Sequence, residues 1–310
     1  MKETINVFFS VDDIYLSCAY VSIYSLIKNT SKNYHYNINI LYDSDTLCED
    51  SKKVLNKLTN ENTNINFCCV DSYIEKIKSK FITRDYYTTA IYYRLFIPSI
   101  LKQEEKAIYL DCDTIITGDI SELYNVDVTG KILAACSDEA VIAIKVFQDY
   151  TEQVIGVNHY LDYFNSGVML LNLKEFNKQN LYERFLKLLD EYPFVVAPDQ
   201  DCLNVICKDK VVYLDKGWNR NPLDIPVKMK KLNLIHYNLT SKPWHYKGIM
   251  FEEYFWEYAK ETPFYQELLD LRDNYPEECK QRDKNGGADL LKKAQEEIDN
   301  PNNYKKIYLK

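Results

Sequence analysis

Apolar positions in the first third of the chain follow two alternating patterns. Short runs of mostly apolar residues, typical of strands buried on both faces of a sheet, alternate with stretches in which apolar residues recur at helical spacing. The predicted strands lie at 5–11, 38–42 and 65–70, and the predicted helices lie at 15–28 and 51–59. This alternation predicts an α/β fold built around a doubly wound sheet.

The remaining pattern extends this sheet and ends in a helical tail. A helix over 92–100 is predicted to end near Pro98, and the polar segment 163–167 is predicted to be a loop that leads into a core strand. Further strands are predicted at 107–110, 132–136, 211–214 and 232–236, and further helices at 181–191, 198–207, 251–258 and 264–272. A polar stretch from Pro276, with Gly286 and Gly287, is predicted to precede a last helix at 288–298.

Two aspartates directly follow the strand predicted at 107–110. In an extended segment alternate side chains share a face, so Asp111 and Asp113 are predicted to point the same way while Cys112 points into the packing. Two carboxylates this close repel each other unless a cation lies between them, and oxygen ligands favour Mg²⁺ or Mn²⁺. The spacing leaves an alternative open, a solvated turn in which two acids close a strand.

Composition and charge exclude several classes of protein. The chain of 310 residues carries 38 Lys and Arg against 46 Asp and Glu, a net charge of -8, which disfavours a non-specific nucleic-acid binder. Its 9 scattered cysteines lack paired metal-binding spacing and suit reduced, buried thiols. The N-terminus lacks the apolar core of a signal peptide, and no segment approaches the length of a membrane span. We therefore expect a cytoplasmic globular protein.

Several other charged residues have ordinary structural interpretations. Arg94 suits a surface or ion-paired position on a helix, and Asp199 or Asp201 suits the N-terminal cap of the helix predicted at 198–207. His236 ends a predicted strand, where a histidine is more often structural than a ligand.

Four ordered blocks of polar residues occur along the first 250 residues. They are Asp111-Cys112-Asp113, Phe164-Asn165-Ser166-Gly167-Val168, Asp199-Gln200-Asp201, and His236-Tyr237 through Lys242-Pro243-Trp244. Together they resemble glycosyltransferase family 8, in particular the bacterial lipopolysaccharide and lipooligosaccharide galactosyl- and glucosyltransferases. The resemblance implies a GT-A domain over 1–250, with a mixed, Rossmann-like central sheet flanked by helices, and it leaves 251–310 as a C-terminal helical appendage.

The resemblance also implies roles for individual residues. Asp111, Asp113 and His236 would hold Mn²⁺, with Mg²⁺ as the alternative, and Lys242 would neutralise the diphosphate of the donor. The positions that match donor-binding residues are Asp12 at the uracil and Arg94, Asp138, Asn165, Asp199 and Gln200 around the sugar. Two positions depart from the family's pattern, Ile14 beside the ribose and Leu239 where relatives tend to have glycine near the diphosphate.

The implied reaction is transfer of a hexose, galactose or glucose, from a UDP-sugar to a glycan or glycolipid acceptor, with retention of anomeric configuration. Retention requires either a covalent glycosyl intermediate or attack by the acceptor on the face that the phosphate leaves. We favour the same-face path, with Gln200 and Asp199 as catalytic residues that stabilise positive charge at the anomeric carbon. The implied process is lipopolysaccharide biosynthesis, without nucleic acid, and peripheral contact of the tail with the inner face of the membrane is an alternative role for the tail.

Two other functions remain open at this point. A haloacid-dehalogenase-type phosphatase also begins with an apolar strand followed by Asp-x-Asp-x-Thr, and Asp111 would then be the nucleophile. The sequence offers no convincing downstream lysine and paired-acid block, which disfavours the phosphatase. The 27 tyrosines also suit a non-catalytic nucleotide-sugar or glycan binder, although tyrosine fills cores and interfaces in general.

Overall fold

The computed structural model describes residues 2–75 and 89–309. The strands within these residues form a large sheet and a small one. They are β1 (Thr4–Ser10), β2 (His35–Tyr42), β3 (Thr63–Cys69), β4 (Lys106–Leu110), β5 (Thr114–Ile116), β6 (Leu133–Ser137), β7 (Phe164–Asn172), β8 (Val211–Tyr213) and β9 (Leu234–His236).

The large sheet is mixed, with seven strands in the order β3-β2-β1-β4-β7-β6-β8. Strand β1 pairs in parallel with β2 and β4, and β7 runs antiparallel to both of its neighbours, β4 and β6. The chain leaves β1 toward β2 and β3 and then returns to β4 on the other side of β1. The order of connection therefore reverses between β1 and β4, where open α/β sheets form a crevice beyond the carboxyl ends of the strands.

Helices cover both faces of the large sheet and one side of the small sheet. They are α1 (Leu16–Lys28), α2 (Glu49–Asn56), α3 (Asp71–Ile74), α4 (Ile97–Ile100), α5 (Ile120–Tyr124), α6 (Glu139–Ala143), α7 (Lys145–Tyr150), α8 (Leu173–Lys178), α9 (Leu181–Glu191), α10 (Pro198–Ile206), α11 (Glu252–Ala259), α12 (Tyr265–Asp273), α13 (Glu277–Asp299) and α14 (Tyr304–Tyr308). None of the helices in the described part of the chain is both long and apolar enough to span a bilayer.

The central strands are buried on both faces. Along β1, Val7 and Phe9 pack into the core formed with α1, α2 and α5, whereas Phe8 packs into the opposite core formed with α7, α9 and α10. A strand buried in this way has no face in contact with solvent, which explains why β1 is mostly apolar, with Asn6 as a buried polar residue. The predicted α/β architecture, a mixed sheet flanked by helices, is confirmed.

The small sheet joins two segments that lie far apart in sequence. Strand β5 pairs antiparallel with β9, and Thr114 lies opposite His236. The outer side of this pair forms a third core, in which Ile115 and Ile235 share a cluster with Phe255 of α11 and Leu268 of α12. The first helices after residue 250 therefore contribute to the core that supports β9, while the domain boundary predicted at residue 250 stays a prediction.

Three local predictions are wrong. A 3₁₀ helix, Thr89–Phe96, precedes α4, and Pro98 lies in the first turn of α4 because a first-turn residue has no intrahelical N–H bond to lose. The segment predicted as a loop at 163–167 largely belongs to β7, whose polar residues face partners inside the protein. The last long helix begins at Glu277 and continues through Gly286 and Gly287.

Candidate active site

Every site residue singled out from the sequence lines one cavity of about 230 Å³. The cavity lies beyond the carboxyl ends of β1 and β4, at the reversal in connection order. The residues are Asp12, Arg94, Asp111, Asp113, Asp138, Asn165, Asp199, Gln200, His236 and Lys242.

Asp111, Asp113 and His236 converge at one side of this cavity. One ligand atom from each lies within 4.8 Å of the others. His236 Nε2 is 3.1 Å from Asp113 Oδ1 and 3.8 Å from Asp111 Oδ2. Asp111 and Asp113 face the same space and Cys112 packs into the core, as predicted. The predicted cause, strand alternation, is wrong, because residues 111–113 form a turn between β4 and β5. The turn, together with the β5–β9 pairing, brings the three groups together instead.

This donor set fits a hard divalent cation. Asp113 Oδ1 is buried and has no hydrogen-bond partner among the described residues, as expected of an oxygen reserved for a metal ion. Two carboxylates and an imidazole suit Mn²⁺ or Mg²⁺ better than soft-ligand metals. Gly167 keeps the space clear, because an added Cβ would lie 2.4 Å from His236 Cε1 and 2.5 Å from Asp111 Oδ2.

Arg94 contacts two acids of the site, Asp111 and Asp199. Its buried guanidinium donates to Asp111 Oδ1 at 3.1 Å and to the carbonyl of Ser166, and lies 3.6 Å from Asp199 Oδ2. Burial would lower the pKa of Arg94, but Asp111 and its neighbours more than offset burial and raise it. The surface position expected for Arg94 is wrong, and the ion-paired alternative is confirmed.

Helix α10 begins at the cavity and presents Asp199 and Gln200 to it. The residue that caps this helix is Ala197, so the expected N-cap role of Asp199 or Asp201 is wrong, although Asp201 accepts the Ala197 N–H at 3.0 Å. Burial raises the pKa of Asp199 to about 6, with Arg94 acting in the opposite direction. Gln200 accepts the Ser166 N–H through Oε1 at 2.9 Å.

Asp138, Asn165 and Gln200 form one hydrogen-bonded group. Asp138 caps α6, where its Oδ1 accepts the N–H groups of residues 140 and 141. Its Oδ2 accepts from Asn165 Nδ2 at 2.9 Å and from Gln200 Nε2 at 3.0 Å. Asp138 and Asn165 are buried and Gln200 is half-buried, and their hydrogen bonds to one another hold these polar groups in the fixed directions that recognition of a hydroxyl-rich ligand requires.

Lys242 is buried beside the metal-ligand candidates. Its Nζ donates to Asp113 Oδ2 and to the carbonyl of Tyr237 at 2.6 Å, so the solvated-lysine alternative is wrong. Burial would raise the pKa of Asp113, but the positive charge of Lys242, together with the other groups around the carboxylate, more than offsets burial and holds that pKa below its ordinary value.

The nucleotide-side positions lie at the end of β1 and after β9. Asp12 Oδ1 accepts the Tyr15 N–H at 2.8 Å, and burial raises the pKa of Asp12. Ile14 is 84% exposed beside it, which offers no polar partner to a ribose. Leu239 has a left-handed backbone with φ 55°, the conformation that glycine adopts most easily.

Sequence reasoning missed three residues that hold the site together. Tyr109 donates to Asp111 Oδ1 at 2.8 Å, Ser166 contacts Asp199 and Gln200 through its hydroxyl, and Asn219 Oδ1 lies 3.0 Å from His236 Nδ1. Ser166 lies within a recognised sequence block. The sequence signal for Asn219 is weak. Asn219 and Asn221 flank Arg220 in a short polar segment, between Trp218 and Pro222, that has no periodicity.

Comparisons with known proteins place the chain in a family. A sequence model of glycosyl transferase family 8 matches residues 6–248. A putative glycosyltransferase of Haemophilus influenzae is 34% identical over 260 residues, 79% of this chain and 74% of that protein. Lipopolysaccharide 1,2-glucosyltransferase of Escherichia coli is 29% identical over 259 residues, with coverage of 79% and 74%.

A solved structure extends the comparison to the fold. Galactosyltransferase LgtC, solved with donor and acceptor sugar analogues, superposes with a TM-score of 0.72 and 22% identity over 84% of this chain and 96% of that one. The mixed sheet and its crevice are therefore those of a GT-A-type fold. From the match over residues 6–248, the chain belongs to glycosyl transferase family 8.

Family membership decides between the alternative functions. A family 8 chain is a transferase, which removes the support for the phosphatase and for the non-catalytic binder.

Proposed function

We propose that this protein is a retaining, divalent-metal-dependent transferase that moves galactose or glucose from a UDP-sugar to a glycan or glycolipid acceptor. The observation that carries the proposal is the convergence of Asp111, Asp113 and His236 in the same cavity as Asp138 and Gln200. Such a cavity combines a site for a cation that binds a diphosphate with directional groups for a sugar.

The metal-side residues have a common task in this proposal. Asp111, Asp113 and His236 hold Mn²⁺, with Mg²⁺ as the alternative, and the bound ion supplies charge neutralisation at the diphosphate. Lys242 adds a second positive charge beside Asp113, so it stabilises the charge that develops on the departing UDP.

The sugar-side residues orient the hexose. Asp138, Asn165 and Gln200 accept and donate hydrogen bonds in fixed directions, and Arg94 holds Asp199 against the site. At neutral pH, Asp199 is mostly ionised because its pKa is about 6. Asp199 and the Oε1 of Gln200 stabilise positive charge at the anomeric carbon while the acceptor attacks on the face that UDP leaves.

The remaining roles follow from position and from the relatives. Asp12 accepts the N3 proton of uracil at the end of β1. The relative from Escherichia coli, a lipopolysaccharide 1,2-glucosyltransferase, supports a role in lipopolysaccharide biosynthesis. A cytoplasmic location, a 1–250 catalytic domain and peripheral contact of the 251–310 segment with the inner face of the membrane belong to the same proposal.

Release of UDP tests this function. The protein is incubated with Mn²⁺ and a panel of UDP-hexoses, with and without glycan acceptors, and UDP and glycan product are measured. We expect release with UDP-galactose or UDP-glucose, stimulated by an acceptor, and loss of release in Asp113→Asn. Robust hydrolysis of simple phosphate esters with Mg²⁺, without turnover of any UDP-sugar, would overturn the proposal.

The same-face path has its own test. Gln200→Ala is expected to slow transfer while residual activity persists, because Gln200 stabilises charge and forms no bond to the sugar. Intact-protein mass spectrometry during turnover detects a glycosyl adduct if one forms. A trapped adduct on any side chain would contradict the same-face path without affecting the donor assignment.

A further inference from the structure

His236 has two ring nitrogens in different surroundings. Nδ1 lies 3.0 Å from Asn219 Oδ1, whereas Nε2 faces the carboxylates of Asp111 and Asp113. A neutral imidazole carries its proton on one nitrogen and a lone pair on the other. Which nitrogen carries the proton therefore decides whether His236 presents a lone pair to a cation at the two acids.

The groups around Asn165 determine the orientation of its side-chain amide, which in turn determines that of Asn219. A backbone N–H can only donate, and Gly167 N–H lies 3.0 Å from Asn165 Oδ1, so the atom of Asn165 at that position is oxygen. The other end, Nδ2, donates to Asp138 Oδ2. The orientation of the Asn165 amide is thus determined by a main-chain donor.

The orientation of Asn219 follows from that of Asn165. Asn165 Oδ1 lies 2.9 Å from Asn219, so the facing atom of Asn219 is its donor, Nδ2. Asn221 gives an independent constraint, because its Nδ2 donates to the carbonyl of His236 at 3.2 Å and also faces Asn219 Oδ1 at 3.5 Å. Both constraints turn the oxygen of Asn219 toward His236.

We infer that Asn219 is a positioning residue that keeps the proton of His236 on Nδ1 and leaves the Nε2 lone pair directed at Asp111 and Asp113. With that tautomer, Nε2 and Asp113 Oδ1 are two acceptors only 3.1 Å apart, an arrangement that is repulsive without a cation. The inference rests on the proposed metal dependence and adds the group that prepares the third ligand.

The same hydrogen bonds connect the two halves of the cavity. Asp138 accepts from Gln200 and Asn165, Asn165 accepts from Asn219, and Asn219 accepts from His236. Buried polar groups with every partner in place hold one arrangement, because each lost bond leaves a buried partner unsatisfied. The sugar-side group and the metal-side histidine are therefore held in one network.

Mn²⁺ affinity without donor or acceptor tests the inference on the full chain. Binding is measured by electron paramagnetic resonance of free Mn²⁺ for the wild type, Asn219→Leu and Asn219→Asp. Asn219→Leu removes the acceptor for Nδ1–H and should weaken Mn²⁺ binding about 10- to 100-fold, the range for groups that orient metal ligands. Asn219→Asp keeps an acceptor and should bind Mn²⁺ more tightly than the leucine variant.

A double-mutant cycle separates positioning from general support of the structure. If Asn219 acts through His236, then Asn219→Leu adds no further loss in a His236→Ala background. Asn303→Leu is the matched control, because Asn303 is a buried asparagine with two hydrogen bonds at the start of α14. It should lower the unfolding temperature and leave Mn²⁺ affinity unchanged. Asn219→Ala replaces the leucine variant if that variant fails to fold.

The outcomes distinguish this inference from the proposed function. If the wild type binds no Mn²⁺ through Asp111 and Asp113, both fail. If the wild type binds Mn²⁺ and His236→Ala weakens binding, but Asn219→Leu binds like the wild type, the positioning role alone is overturned. Equal losses in Asn219→Leu and Asn219→Asp, or additive losses in the cycle, overturn it as well.

Discussion

Asp201 has no proposed contact with substrate, yet it is among the most deeply buried acids in the described part of the chain. Its carboxylate accepts the hydroxyl groups of Tyr150 and Tyr163 at 2.8 and 2.6 Å and the N–H of Ala197. Burial raises the pKa of Asp201 to about 7, although these hydrogen bonds act in the opposite direction. The start of α10, which carries Asp199 and Gln200, is thus attached to a group that titrates near neutrality.

This titration predicts a pH dependence of stability. A carboxyl whose folded-state pKa is raised stabilises the fold while it is protonated. Its contribution is complete below the ordinary value, 3.8, and is lost as the pH rises through about 7. Asp201→Asn should therefore reduce the fall in free energy of unfolding between about pH 5 and about pH 8 by about 2 kcal/mol. Urea denaturation of the wild type and of Asp201→Asn at both pH values measures this difference. An equal fall in the two proteins would show that Asp201 does not have a raised pKa.

The left-handed backbone of Leu239 predicts how substitutions at this residue change stability. A non-glycine residue with φ 55° costs about 1 to 2 kcal/mol, and a β-branched residue fits this conformation worst. Leu239→Gly should stay within about 1 kcal/mol of the wild type, because relief of strain offsets the added unfolded-state entropy. Leu239→Val should lower the free energy of unfolding by about 1 kcal/mol or more. The reverse order in chemical denaturation would show that the left-handed backbone is not retained in solution.

Helix α13 shows where sequence pattern misleads about an element. Gly286 and Gly287 predict a break, since each glycine costs about 1 kcal/mol in a helix interior. The helix nevertheless runs from Glu277 to Asp299, because Asp283 and Ala294 are buried on either side of the glycines. Tertiary packing of one helical face therefore outweighs the local propensity.

A substitution at Gly287 tests whether α13 is a continuous helix at this position. A Cβ added at Gly287 would meet nothing within 4 Å, so Gly287→Ala should raise the free energy of unfolding by about 0.5 to 1 kcal/mol. Gly167→Ala is the contrasting variant, because its Cβ would contact His236 and Asp111, and it should lose Mn²⁺ binding. Thermal unfolding measures the first variant. A lower unfolding temperature for Gly287→Ala would mean that α13 is not continuous there.

The difference between local sequence pattern and long-range packing explains which parts of the fold and site can be predicted from sequence. The strands and the acids at their ends follow from local patterns, so β1, β4, Asp12 and Asp111 could be placed. The meeting of His236 with Asp113 depends on the long-range β5–β9 register, which no local pattern encodes, and only the family resemblance indicated it.

Asn219 could not be assigned from sequence at all. It lies just after a short 3₁₀ helix, Lys216–Trp218, and its partners Asn165 and His236 come from two separate strands. Polar residues in irregular segments carry no periodicity, so their pairing is visible only once the strands are assembled. The start of β7 is also polar, so its sequence predicts a loop although the strand begins at Phe164.

Helix α13 of the C-terminal tail contacts the segment that follows β9 and lines part of the cavity. Asp283 on α13 accepts the hydroxyls of Tyr246 and Tyr275 at 2.7 and 3.1 Å, and His245 stacks on Tyr275 with ring centroids 4.0 Å apart. These contacts attach α13 to the segment that carries Lys242. Further along the same helix, Leu290 lines the cavity itself. We therefore expect the tail to take part in forming the active site, whether or not it also contacts a membrane.

Two neighbouring leucines on α13 test this expectation for the assembled protein. Leu290 faces the cavity, whereas Leu291 is 39% exposed, so the same substitution can be compared at adjacent positions of one helix. Leu290→Gln should raise the KM for the glycan acceptor about tenfold, the equivalent of losing contact with about two methylene groups, with little change in the KM for the donor. Leu291→Gln should behave like the wild type in the same steady-state assay. Equal behaviour of the two variants would place the acceptor away from α13 and leave the tail without a part in substrate binding.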